Sequence, residues 1–232
     1  MQTLRPATAR GHFDFGWLKT AHSFSFGDYR DPAHMGFRSL RVINEDIIAG
    51  GGGFPPHPHA DMEIVTYILS GALQHQDSLG TGAVIRPGEA QRMSAGTGIR
   101  HSEFNASPTD PAHLLQIWLL PSERGIAPGY EQRTLPPATP GETRLDLIAS
   151  PDGGEQAVTI RSDAVIHRAL LAPGGTLEVP VTRGHAWVQV ARGAAMAGSH
   201  KLGTGDGLAV SGEERLALSS EDGAELLVFD LG

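Results

Sequence analysis

Glycine and proline set the rhythm of this chain. Of its 232 residues, 30 are glycine and 16 are proline, and they recur at short intervals. Between them lie apolar, β-branched runs such as E-I-V-T-Y-I-L at 63–69 and H-L-L-Q-I-W-L-L at 113–120. Runs this short leave no room for the 3.6-residue stripe of a packed helix, and no segment sustains such a stripe. The glycine and proline share, about a fifth, stays below the roughly 25–30% of low-complexity chains. The expected class is all-β, with many short strands joined by tight turns.

A polar, Pro/Gly-rich stretch at 121–144 breaks the rhythm, as a domain link does. The expected division is an N-terminal domain over 1–125, a linker over 126–144 and a C-terminal domain over 145–232. Each half is long enough to bury a core. Residues 1–36 read as an arm of short strands lying over the first barrel. Residues 37–48 read as strand, turn, strand, with Asn44 to Asp46 at the bend. Gly50 to Gly53 read as a tight loop, because Pro55 and Pro56 follow where a phosphate cradle needs a helix N-terminus. In the second half, strands are expected at 145–149, 157–161, 164–171, 176–181, 186–191, 207–210, 215–219 and 225–231.

Composition removes several function classes. The formal net charge is −8 and no Lys/Arg run exists, so the basic footprint of direct nucleic-acid binding is missing. There is no cysteine, which excludes disulfides, thiolate zinc sites, Fe–S clusters and Cys nucleophiles. No apolar run approaches the ~18–20 residues that span a bilayer, and the N-terminus lacks an apolar signal core. No membrane partner is expected, and a cytoplasmic location is.

Two short pairs carry the chemistry. His57 and His59 sit in H-P-H-A-D-M-E, and His101 and Glu103 in H-S-E, which begins 42 residues after His59. In extended chain, residues two apart share a face. Pro58 helps, because a residue before proline is pushed to extended geometry. Prolines also exclude a central ladder position, so this segment belongs at a rim or bulge. One H-x-H alone is also met as two surface imidazoles on a loop. The second pair points to a shared site of three imidazoles and one carboxylate.

Spacing leaves Glu63 as a competing fourth ligand, with Glu103 favoured by its i+2 relation to His101. Asp61 and Glu63 are otherwise candidates to orient the imidazoles. Such a donor set suits Fe, Mn, Co, Ni, Cu or Zn and is too poor in oxygen for calcium. His22, beside Phe24 and Phe26, reads as structural. Phe54 and Met93 are candidate pocket walls.

These residues resemble the cupin superfamily: Gly51, His57, His59 and Glu63 follow its first motif, and Gly98, His101 and Asn105 its second. The first motif's closing glycine, Gly71, comes one residue late, and the expected P-x-G is replaced by Pro87-Gly88. The chain is more closely similar to the pirin family. The likeness runs through R-G-H at 10–12, H-S-F-S-F at 22–26, D-P-x-x-M-G-F at 31–37 and L-R-V-I-N-E-D at 40–46. It continues in G-G-F-P-P-H-P-H-A-D-M-E at 52–63, H-Q-D-S at 75–78, P-G-E-A-Q-R-M-S-A-G-T-G-I-R-H-S-E at 87–103, L-Q-I-W-L-L-P at 115–121 and Y-E-Q-R at 130–133. H-P-H-x-D-M-E and H-Q-D-S look most like the bacterial pirin-like quercetin 2,3-dioxygenases.

The resemblance implies two cupin-type antiparallel β-barrel or sandwich domains, a bicupin of jelly-roll type. It implies metal ligands at His57, His59, His101 and Glu103, with Glu103 also the catalytic base. Glu63 matches a superfamily glutamate that is not a ligand in pirins. The implied cofactor is one divalent transition metal, Fe2+ ahead of Zn2+, Co2+, Ni2+, Mn2+ and Cu2+. The implied partners are a flavonol and dioxygen, which adds across the C2–C3 bond with loss of carbon monoxide. An alternative is a non-enzymatic, redox-sensitive metal protein that binds a protein partner. A further one is another cupin reaction on a small anionic substrate, with Arg92 and Arg100 as cations. The C-terminal half, whose His167, His185 and His200 are isolated, is expected to carry no metal ligands.

Overall fold

Nearly every apolar run between turn signals becomes a strand. The computed structural model describes residues 1–232, with 21 strands and one short 3-10 turn. No helix is long and apolar enough to cross a membrane. The strands form sheets of seven, four and ten, and the architecture is a bicupin.

The seven-stranded sheet runs in the order Gly129–Thr134, Glu89–Ser94, Glu63–Ser70, Ala112–Leu119, Leu40–Ile48, Leu18–His22, Gly11–Asp14. The four-stranded sheet runs Gly53–His59, Ile99–Asn105, Leu73–Asp77, Gly82–Ile85. The two sheets close on each other at both ends. At one end Leu18, Ile48, Ile68 and Leu114 meet Leu73 and Ile85. At the other Ile64 and Met93 meet Ile99. Between these apolar plugs the barrel interior is polar, and this is where the site lies.

The predicted bend at Asn44 to Asp46 does not occur. Leu40–Ile48 is one strand, paired on one side with Leu18–His22 and on the other with Ala112–Leu119. Two ladders override the local turn preference of Asn-Glu-Asp, since strand preference depends on context. Alternation then buries Asn44 and Asp46, while Glu45 pairs with Arg10 at 2.8 Å and with His113 at 2.9 Å.

The expected linker 126–144 contains structure: Gly129–Thr134 pairs with Glu89–Ser94 and extends the first sheet. The N-terminal arm divides. Gln2–Arg5 pairs with Gly207–Ser211 in the ten-stranded C-terminal sheet, whereas Gly11–Asp14 and Leu18–His22 join the first sheet. In the second half the eight expected strands are present, though 157–161 shrinks to Val158–Thr159 and 186–191 grows into His185–Ala197. His200–Gly203 adds a strand the turn signals had hidden.

The largest core cluster, 22 buried residues, belongs to neither barrel alone. It joins Phe24, Leu40, Val65, Tyr67 and Ile117 to Ile166, Trp187, Leu227 and Phe229. Phe24 packs on Trp187 with ring centroids 4.8 Å apart. Burial at about 25 cal/mol per Å2 makes such a seam a main source of stability. A Phe24→Ala protein is expected to lose about 3–5 kcal/mol, the usual cost of truncating a buried Phe. Denaturant titration of both proteins measures this. A loss under 1 kcal/mol would show that the seam contributes little.

Candidate metal centre

The edge strand Gly53–His59 delivers the first pair. It contains Pro55, Pro56 and Pro58, which lack N–H donors and suit an edge. It lies so close to its neighbour that a Cβ on Gly53 would fall 2.6 Å from the carbonyl oxygen of Glu103. His57 stands opposite His101 and His59 opposite Ile99. The register then slips between His101 and Glu103, placing Glu103 opposite Phe54. Such bulges re-aim side chains at functional sites. On its other side, Ile99–Asn105 sets His101 opposite Asp77 and Glu103 opposite His75.

His57, His59 and His101 converge with one ligating atom each, all within 4.8 Å of one another. Hydrogen bonds fix which nitrogens face inward, as the proton on a ring is assigned from its partners. His57 donates from Nδ1 to the Pro55 carbonyl at 2.9 Å, leaving its Nε2 lone pair free. His75 donates from Nε2 to Asp77 at 3.0 Å. Its Nδ1 lone pair then faces His101 Nδ1 at a long 3.5 Å, which assigns the His101 proton to Nδ1. The Nε2 atoms of His57 and His101 therefore oppose lone pairs at 3.1 Å. A cation between them turns this repulsion into ligation.

A proton is poorly suited to that role. Burial, then the neighbouring imidazoles of His57, His59 and His75, push His101 down to about 2. Burial and His57 push His59 down to about 4. Both rings are neutral at neutral pH, the state a metal requires.

Glu103 is buried, and a second group of potential ligands joins it to His101 and His75 within the same 4.8 Å limit. Burial, reinforced by the Asp46 charge and opposed by a hydrogen bond from Gln116, raises its carboxyl to about 7. A relay holds it in place: Gln91 donates to Thr66 Oγ1 at 3.3 Å, Thr66 to Gln116 Oε1 at 3.0 Å, and Gln116 Nε2 to Glu103 Oε2 at 2.8 Å. Glu103 Oε1 has no protein partner. A buried carboxylate oxygen without one is costly, and a bound cation removes that cost. The nitrogen and oxygen donors fit a divalent transition metal.

The remaining candidates go elsewhere. Asp61 has a positive φ of 47°, which breaks the alternation between the histidines and Glu63. Glu63 consequently faces the C-terminal half, where its Oε2 accepts from Ser94 and from the Arg161 N–H at 2.9 and 3.0 Å. Asp61 accepts from the Gly125 N–H, so neither carboxylate orients an imidazole. Arg92 binds Thr159 and Glu131 and is not free for the cationic pocket considered above, whereas Arg100, exposed and bonded to the Pro56 carbonyl, lines an open pocket with His59. His22 packs among Phe13, Phe26 and Tyr29. Phe54 lies beside His57 with ring centroids 6.3 Å apart, while Met93 belongs to the apolar plug.

Sequence reasoning gave no site role to His75, Asp77, Trp118, Tyr130 or the Gln91–Thr66–Gln116 relay. Trp118 packs edge-on against His59, and Tyr130 stacks on His75. H-Q-D at 75–77 repeats the i,i+2 pattern of the ligand pairs and was the available signal.

Fold and site together define a metal-binding-type bicupin, with both ligand groups in the N-terminal barrel. The chain belongs to the pirin family: the Pirin profile matches residues 3–119 and the quercetinase C-terminal cupin domain matches 147–231. It is 45% identical over 229 residues to a quercetin 2,3-dioxygenase of Escherichia coli K12, covering 98% of this chain and 97% of that protein. A pirin-like protein of Caulobacter vibrioides is 37% identical over 227 residues, 97% of each chain. The crystal structure of the bacterial pirin YhhW from Escherichia coli, in complex with nickel(II), superposes with a TM-score of 0.92 at 43% identity, covering 100% of this chain and 99% of that one.

Two outcomes follow from the geometry. Gln116→Leu frees Glu103 and is expected to weaken metal binding about 10–100-fold, as loss of a ligand's outer partner does; competition with a chelator reads this, and an unchanged affinity refutes the relay. Metal loading should also expel the Glu103 proton. With its pKa raised to about 7, release is expected to approach about one proton at pH 6 and to vanish near pH 8. Calorimetry in buffers of different ionisation enthalpy counts it as the difference between wild type and Glu103→Gln.

Proposed function

We propose that this chain is a metal-dependent dioxygenase that opens a flavonol such as quercetin with release of carbon monoxide. We assign the metal to His57, His59, His101 and Glu103. The observation that carries this reading is that the His57–His59–His101 cluster shares His101 with a second group holding the buried Glu103 carboxylate, one of whose oxygens is unpartnered. The relatives named as quercetin 2,3-dioxygenases support it. The metal, taken as Fe2+, would lower the pKa of the flavonol 3-hydroxyl and hold the substrate's oxygen pair.

The chain's own residues do the rest. Glu103 accepts the 3-hydroxyl proton, a task that needs a base within ~2.6–3.2 Å or one water away. Gln116 keeps one carboxylate oxygen occupied and so aims the other. Asp77 and His75 hold His101 in the tautomer with Nε2 forward. Trp118 and Phe54 pack against His59 and His57 and wall one side of the imidazoles. On this reading the working unit is the N-terminal domain 1–125, closed by a strand from the 126–144 segment, and 145–232 supports it.

The test is oxygen uptake and carbon monoxide evolution by protein loaded with Fe2+ and supplied with quercetin. Glu103→Gln, at full metal occupancy, is expected to lower turnover about 100-fold or more, the typical scale of general-base loss. If metal-loaded wild type consumes no oxygen with any flavonol, the enzyme reading fails and the metal-binding regulator remains.

A further inference from the structure

A cleft of about 260 Å3 opens on the side of the barrel between the edge strand Gly53–His59 and the strands Leu18–His22 and Leu40–Ile48. Its walls are aromatic: Phe13, Phe15, Phe26 and Phe54. Two of these rings lie one step from the imidazoles. Phe54 is beside His57, and Phe26 packs edge-on against Trp118, which in turn packs against His59. The cleft thus lies one aromatic ring away from the imidazoles.

Its floor is unusual. Thr20, Asn44 and Asp46 line it, each more than nine-tenths buried. The Asn44 carboxamide oxygen, Asp46 Oδ1 and the Nδ1 of His22, which also lines the cleft, have no protein hydrogen-bond partner, while the Thr20 hydroxyl lies within hydrogen-bonding influence of Asp46. Sheet register explains why they gather: Thr20 stands opposite Asp46 on adjacent strands, and Asn44 shares Asp46's face two residues away. Buried polar groups are satisfied in more than about nine cases in ten. Three orphans on the floor of one aromatic cleft mark a place where a ligand completes the bonding. No lysine or arginine lines it, and two of the three groups are pure acceptors. They call for hydroxyl donors, and Asp46 repels anions.

Size narrows the choice. Sites that engulf a drug-sized ligand run to about 300–1,000 Å3, so this cleft suits one ring of a larger molecule whose other end lies at the metal. We propose that the cleft is the seat of the substrate's remote aromatic ring, and that Asn44 and Asp46 select rings bearing hydroxyl groups over bare or carboxylated ones. The proposal rests on the flavonol reading for the identity of the ligand but not for the chemistry of the cleft. Asp46 and Asn44 act here as specificity residues.

The experiment compares anaerobic binding to nickel(II)-loaded protein of quercetin, whose pendant ring carries two hydroxyls, and of the same flavonol with that ring unsubstituted. Wild type is expected to bind quercetin about tenfold more tightly, the scale of one hydrogen bond to a charged group. Asp46→Leu should bring the ratio to about one. Phe15→Ala, at the exposed mouth, should weaken both ligands by the same factor. Catechol, titrated into metal-free protein and followed by NMR at the Thr20, Phe26 and Phe54 amides, isolates the cleft from the metal. Equal affinities for both flavonols, or a preference that survives Asp46→Leu, overturn the proposal while leaving the dioxygenase reading intact. If flavonols fail to bind but catechol saturates the cleft in wild type and not in Asp46→Leu, the subsite stands and the flavonol reading falls. If neither flavonols nor catechol bind, the subsite is overturned.

Discussion

Two imidazole nitrogens, His57 Nε2 and His101 Nε2, oppose each other at 3.1 Å, and much of the N-terminal barrel exists to hold them there. The opposition requires an edge strand pressed against Ile99–Asn105, which Gly53 permits and three prolines tolerate. It requires a tautomer chain that begins at Asp77, whose carboxylate burial pushes up but whose bonds from His75 and from the Thr81 and Leu79 amides hold down. It also requires a neutral His101, which burial supplies. Each support is local, and each comes from a different strand.

That arrangement sets a problem for stability. The C-terminal barrel fills its interior with a cluster of 16 buried apolar residues. The N-terminal barrel splits its apolar filling into clusters of six and four at its ends and leaves the middle polar. Each unpartnered buried group there costs about 1–3 kcal/mol. The 22-residue seam between the barrels offsets this. Gln2–Arg5, which crosses to the far sheet, and Gly129–Thr134, which returns to the near one, tie the two halves together. The second barrel thus supplies apolar packing that the first one lacks at its centre.

Much of this was legible in the sequence. Strand spacing and the i,i+2 pairs sufficed for the all-β class and for bringing His57, His59 and His101 together. Alternation failed where the backbone left the extended region: Asp61, at φ 47°, turns Glu63 away from the histidines. Asn44 to Asp46 carry turn-forming side chains, yet two flanking ladders keep them in a strand. Gly129–Thr134 shows no apolar alternation, and only its partner 40 or so positions earlier reveals it. The relay to Glu103 draws Gln91, Thr66 and Gln116 from three strands. Its logic is register, which no local pattern encodes.

The relay and the cleft floor answer the same question in opposite ways. Across the seven-stranded sheet, His22, Asn44, Gln116, Thr66 and Gln91 occupy one row of paired positions. At the Gln116–Thr66–Gln91 end the polar groups bond to one another and finally to Glu103, leaving Gln91 Oε1 and Glu103 Oε1 unpartnered. At the Asn44 end they do not, and acceptors are left facing an aromatic cleft. The sheet links its interior polar side chains into a chain on one side and leaves them unlinked on the other. The asymmetry has a physical reading: the closed end fixes a side chain of the protein, and the open end keeps its bonds for a molecule that comes and goes.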